Sequence, residues 1–163
     1  MTTDPTDWDS PSAPSPMGLP IDPELPDPAA RATDPRVLAV IALGGAVGAP
    51  LRYALEELHP AGPGAFPQTT FLVNVSGAFA LGLFLALLLG RWSTSRFLRP
   101  LVATGFLGAY TTFSTFAVEL VTLAKDDHLP MAVWYAVASL AVGLVAASAG
   151  LGVGRRLLLD PGA

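Results

Sequence analysis

Four long apolar blocks dominate the chain: Val37 to Leu55, Thr69 to Leu89, Leu101 to Ala124 and Met131 to Val153. A hydrocarbon core of about 30 Å takes about 20 helical residues to cross. Each block has that length, so the pattern predicts four membrane-spanning helices. The connections between them, EELHPAGPGAFPQ, GRWSTSRFLRP and KDDHLP, hold the proline, glycine and charge of loops. Trp92, Trp134 and Tyr135 fall near block ends, where amphipathic rings favour the membrane interface.

The stretch ahead of the first block is of a different kind. Residues 1–35 carry seven acids against one base, Arg31, and nine of the sixteen prolines. With so few apolar residues they are expected to form a disordered acidic, proline-rich tail. It lacks the basic start and apolar run of a signal peptide. The formal charge of −4 thus belongs to the tail and implies nothing about a partner of the body, 36–156, or of the short C-terminal tail, 157–163. No nucleic-acid partner is expected. The whole chain is 52% hydrophobic and 13% charged, as befits a small membrane protein. It has no cysteine, which excludes a disulfide framework, thiolate catalysis and cysteine metal ligation.

Charge also predicts orientation. Arg31, Arg36, Arg91, Arg96, Arg99, Arg155 and Arg156 fall on one side of the four blocks, against Lys125 and, counted from within its block, Arg52. The excess of bases marks the cytoplasmic side, so both termini are predicted there.

Several residues inside the blocks are poor company for lipid. Thr70 and Asn74 share one helical face, with Gly77 nearby. An Asn amide left unpaired in hydrocarbon costs several kcal/mol, so Asn74 either bonds a neighbouring helix or offers donors to something passing by. Arg52 would cost about 2.5–3.5 kcal/mol if buried alone. It is expected to pair with Glu56 or with backbone carbonyls, or else to draw anions into a vestibule. Pro50 removes a backbone donor and should kink the first helix. Gly44 and Gly48 form a GxxxG, and Ser139, Gly143 and Ala147 a ladder of small residues; both allow close helix approach.

The third block contains GFLGAYTTFSTF, residues 105–116. Gly105 and Gly108 weaken the helix, while Thr111, Thr112, Ser114 and Thr115 can satisfy backbone groups freed by a break. Such breaks are tolerated at membrane depth only within protein or beside a cavity, and they commonly hold ions. Phe113 and Phe116, three apart, read as packing residues by spacing alone.

In order and spacing, GGAVGAPLRY, TTFLVNVSGAFALG and GFLGAYTTFSTF resemble the CrcB/Fluc family of fluoride channels, from about residue 36 to 155. The resemblance implies an all-α membrane protein of four transmembrane helices with a break in helix 3, assembled as an antiparallel dimer. Two pores, each lined by both chains, would passively export fluoride across the cell membrane. On the family pattern Asn74 and Thr70 lie along the ion path with hydroxyls from Ser114 and Thr115, and Phe113 and Phe116 present ring edges to it. Backbone carbonyls at Gly108 and Thr111 from both subunits would hold a structural sodium ion. Tyr135 and Ser139 fit the start of a polar track in the fourth helix, which Gly143 and Ala147 do not continue. Glu119 matches a family acid, placed either at a pore mouth or in an interfacial pair. Ala109 stands where the family often has glycine.

Neutral donors suit such an ion. A bare small anion in low dielectric faces a cost of tens of kcal/mol, so several donors must share the work of its water. The aromatic rim is positive and can help. Lysines would hold the ion too tightly to release it, and the blocks contain none. The strong bias of bases is at odds with insertion in both orientations. The second subunit is therefore either a homologue of opposite bias or an identical chain whose topology obeys weaker signals. Two other classes compete. A proton-coupled small multidrug transporter needs a buried helical acid, which the first block lacks before Glu56. A purely structural membrane protein leaves Asn74 without a purpose. Enzymatic chemistry has no support, since His59 and His128 lie in loops.

Overall fold

In the computed structural model, residues 34–91 and 95–159 are described, and every regular element among them is helical. Helix α1 spans Pro35–Leu58 and α2 spans Gln68–Arg91. The third stretch is composite: α3 over Pro100–Leu107 in wide π-type turns, α4 over Gly108–Tyr110, and α5 over Phe113–Lys125. Helix α6 spans Leu129–Leu159. Four segments, Pro35–Leu58, Gln68–Gly90, Pro100–Lys125 and Leu129–Leu159, are long and apolar enough to cross a membrane. Most of the expected tail and Trp92 lie outside the described residues, while α6 continues to Leu159, through the start of the stretch read as a C-terminal tail.

Local sequence explains the boundaries. Pro35 and Pro100 open α1 and α3, where a missing N–H costs nothing. α1 runs unbroken through Pro50. Gly108 donates its N–H to Ala103, five residues back, which is the widened turn of α3. Thr111 and Thr112 then leave the helix, with ψ 156° at Thr111 and φ −143° at Thr112. α5 restarts because the Thr112 side chain accepts from the Thr115 N–H at 3.1 Å, an N-cap. Asp127, at φ 61°, turns the chain from α5 into α6.

Packing follows the glycines. α1 lies against α3, and α2 against α6. At the first crossing a Cβ on Gly44 would strike the Leu101 carbonyl and one on Gly48 the Phe106 carbonyl. At the second, Gly82 abuts the Ala147 carbonyl and Gly150 the Phe79 carbonyl. The GxxxG of the first block thus sits at a close crossing, as its spacing predicts. The small-residue ladder of the fourth block differs: a Cβ on Gly143 would meet nothing within 4 Å, and it is Gly150 and Gly154 that face α2. The apolar core centres on Leu123, Ala132 and Tyr135, with Phe66, Phe71 and Phe116 against it. Leu140, Leu144 and Val145 on α6 and Leu43 and Val47 on α1 remain exposed, as lipid-facing positions do.

Two substitutions separate the crossing from the open face. Gly150→Val, which meets α2 backbone, should cost about 2 kcal/mol, whereas Gly143→Ala should change stability by less than about 0.5 kcal/mol. Unfolding followed in detergent micelles reads both.

Candidate functional site

The extended pair Thr111 and Thr112 is where the polar residues of the sequence converge. Asn74, on α2, donates through Nδ2 to the Thr112 carbonyl at 2.9 Å and accepts the Thr112 N–H through Oδ1 at 2.8 Å. One side-chain amide thereby satisfies both backbone groups of the residue that has left the helix. Thr111 stays attached to the turn before it, its N–H and its hydroxyl both donating to the Leu107 carbonyl at 3.0 and 2.9 Å. Thr112 Oγ1, besides capping α5, lies 3.0 Å from Thr115 Oγ1 and 3.2 Å from Ser114 Oγ. Gly77 makes this junction possible: a side chain there would collide with the Thr111 methyl.

Beside the junction runs a groove of about 370 Å³, lined by Asn74, Gly77, Leu107, Gly108, Thr111 and Phe113 among others. Among the described residues no charged side chain lines it. Phe113, the first residue of α5, is 80% exposed, while its neighbour Phe116 is partly buried with ring centroids 5.9 Å apart.

A second cluster forms deeper in the bundle. Glu119 of α5 accepts from Thr70 Oγ1 of α2 at 2.7 Å and from the Tyr135 hydroxyl of α6 at 2.7 Å. Thr70 is 2% and Tyr135 0% exposed, so two hydroxyls shield the carboxylate from lipid. Phe116 and Phe66 set their rings edge-on against Tyr135, with centroids 5.0 and 5.2 Å away. Thr70 and Tyr135 thus direct their protons to Glu119. Ser139, one turn on along α6, has a buried hydroxyl without a partner among the described residues.

Arg52 reaches the turn just ahead of the junction from α1. Its Nη1 donates to both Glu56 oxygens at 3.1 Å and its Nε to the Ala109 carbonyl at 3.3 Å. Of the residues singled out in the sequence, Asn74, Gly108, Thr111 and Phe113 border the groove, while Ser114 and Thr115 cluster at the α5 cap. Thr70, Phe116, Glu119 and Tyr135 form the inner cluster. Sequence reasoning named Thr112 only among several hydroxyls able to satisfy freed backbone groups and did not place it at the site, yet it is the residue that holds the junction together. Its signal was an N-cap hydroxyl three residues ahead of Thr115. Nor did it find the hydrogen bond between Ser76 Oγ and the Tyr110 hydroxyl, 3.0 Å apart.

Apolar helices of this length, enclosing paired polar groups, define a small multi-pass membrane protein. The family profile described as CrcB-like protein, Camphor Resistance (CrcB), matches residues 39–151. The chain belongs to that family. Among curated relatives, the Fluoride-specific ion channel FluC 3 of Streptomyces avermitilis is 48% identical across 75% of this chain and 60% of that protein's own length. FluC 2 of Nocardia farcinica is 40% identical across 75% of this chain and 87% of its own. FluC 1 of Mycobacterium tuberculosis is 44% identical across 69% and 86% respectively.

The pairing of Asn74 sets an expectation. Asn74→Ala strands the Thr112 N–H and carbonyl and should cost about 2–3 kcal/mol. Asn74→Asp keeps the acceptor and, while protonated, a hydroxyl donor; ionisation removes that donor and sets a charge against the Thr112 carbonyl, so the cost should grow as pH rises. Thermal unfolding in detergent across pH 5 to 9 measures both.

Proposed function

We propose that the chain is one subunit of an inverted dimer that conducts fluoride passively out of the cell, lowering its cytoplasmic level. The observation that carries this reading is the uncharged groove: neutral donors and a phenyl ring surround a site where the helix opens, with no fixed cation to trap an anion. Family membership and the printed names of the relatives support the choice of ion. No chemical transformation is involved; the protein is a channel and not an enzyme.

On this reading Asn74 contributes the remaining N–H of its amide, and Phe113 and Phe116 contribute ring edges. Ser114, Thr115 and Ser139 supply hydroxyls along the same route, and Thr70 and Tyr135 join it if their protons turn from Glu119 to the ion. The exposure of Phe113 in the single chain fits a pore wall completed by a second subunit. Thr111 and Thr112 act as a membrane-depth break in the third helix, buried in the assembly. Gly108 and Thr111 border the groove, Gly108 is exposed, and backbone oxygen donors suit a hard cation. They would hold the structural sodium ion, which supplies positive charge at the dimer centre. Both termini face the cytoplasm, and Arg52 with Glu56 lies toward the opposite membrane surface. The second subunit is either an identical chain or a homologue of opposite charge bias, inserted the other way up.

Reconstitution decides among these. Liposomes containing the assembled protein should lose fluoride rapidly to a fluoride-selective electrode, without a proton gradient, and retain chloride. Phe113→Ile should slow the loss by about fivefold, since an aromatic edge is worth on the order of 1 kcal/mol. Full flux from this chain purified alone excludes an obligate partner. Dependence of flux on a proton gradient points to a coupled transporter, and vesicles as tight as empty ones, even with a partner homologue supplied, refute the reading.

A further inference from the structure

We propose that Glu56, acting through Arg52, is a positioning residue that holds the upstream lip of the Thr111–Thr112 junction. In a continuous helix the Ala109 carbonyl would accept from the Phe113 N–H, four residues on. The extended backbone at Thr111 and Thr112 removes that partner. Arg52 replaces it, with Nε 3.3 Å from the Ala109 oxygen. A guanidinium there also meets the negative end of the helical run that closes at Tyr110.

The other side of the guanidinium explains Glu56. Both carboxylate oxygens accept from Nη1 at 3.1 Å, which holds one corner of the guanidinium while Nε holds another at Ala109. The order along α1 is base before acid, the weaker arrangement for stabilising a helix through an i, i+4 pair. Orientation of Arg52 is therefore the better account of the pair than support of α1. The anchor is firm because α1 itself is locked to the α3 stretch by Gly44 and Gly48. Asn74 fixes the Thr112 side of the junction from α2, so Arg52 and Asn74 grip it from two helices.

The consequence for conduction rests on the fluoride reading above; the consequence for backbone order does not. A role in attracting anions needs only a positive charge, whereas a clamp needs the fork. A single ammonium cannot reach the Ala109 carbonyl and hold the Glu56 carboxylate in that geometry. Arg52→Lys therefore separates the two.

Hydrogen–deuterium exchange and fluoride efflux should be measured on the full chain, reconstituted with a partner homologue if it needs one, for wild type, Arg52→Lys, Arg52→Gln and Glu56→Gln. Loss of one charged hydrogen bond should raise exchange at amides 111–116 about tenfold in both Arg52 variants. Exchange in α2 and α6 should stay unchanged, and Glu56→Gln should show a smaller rise at the same amides. Maximal fluoride flux should fall in parallel, with the half-saturating fluoride concentration unaltered. Wild-type exchange in Arg52→Lys overturns the proposal, as does a rise spread evenly over all helices. A higher half-saturating concentration with the junction still protected also overturns it, in favour of anion attraction. An inert wild type refutes the fluoride reading, while the exchange pattern still decides the clamp.

Discussion

A helix that stops inside hydrocarbon must find partners for its freed backbone groups within the protein, because lipid offers none. At Thr112, where the backbone turns extended, one amide supplies both partners. Asn74 pairs with Thr112 as a second peptide group would, donor to carbonyl and acceptor to N–H. This two-point contact joins α2 to the start of α5 and fixes where α5 restarts. Phe113 and the groove take their positions from that restart. The junction is accordingly a piece of sheet-like pairing in an otherwise helical protein.

The rest of the bundle is arranged so that the junction is surrounded. Glycine-lined crossings press α1 onto α3 and α2 onto α6, bringing backbone against backbone with no side chain between. Where α2, α5 and α6 meet, the apolar cluster of Leu123, Ala132 and Tyr135 also encloses a polar joint. Glu119 draws Thr70 and Tyr135 together and so ties α2, α5 and α6 at one point. Such a carboxylate would be a liability if it stood alone. With two hydroxyl donors on it, one of them from a Tyr135 ring itself packed by Phe66 and Phe116, it becomes a joint instead.

The spans were plain from sequence because a bilayer imposes one uniform demand, and a run of apolar residues answers it directly. Arg52 and Glu56 were also legible, since a four-residue spacing makes them neighbours on any helix. The Ala109 carbonyl was not, because that contact joins residues 57 apart and involves no side chain on the accepting side. Gly143 and Gly150 show another limit. α6 bears small residues on more than one face, and spacing alone does not say which face meets α2. Likewise four hydroxyls in the run TTFST were visible, but which of them caps α5 depends on the residue at which the chain leaves the helix. That residue is set by Asn74, on a different helix. The convergence of Thr70, Glu119 and Tyr135 is tertiary in the same sense: each was noticed, their meeting was not.

The length of α6 has its own corollary. Its 31 residues, at about 1.5 Å each, extend roughly 46 Å, well beyond the roughly 30 Å of a typical acyl region. Either the rod leans or its last turns, with Arg155 and Arg156, stand among the phospholipid headgroups. Because α6 is clasped to α2 at Gly82 and Gly150, any lean imposed by a thinner or thicker leaflet is carried to the helix that bears Asn74. The clasp thus makes α2 and α6 lean as one unit.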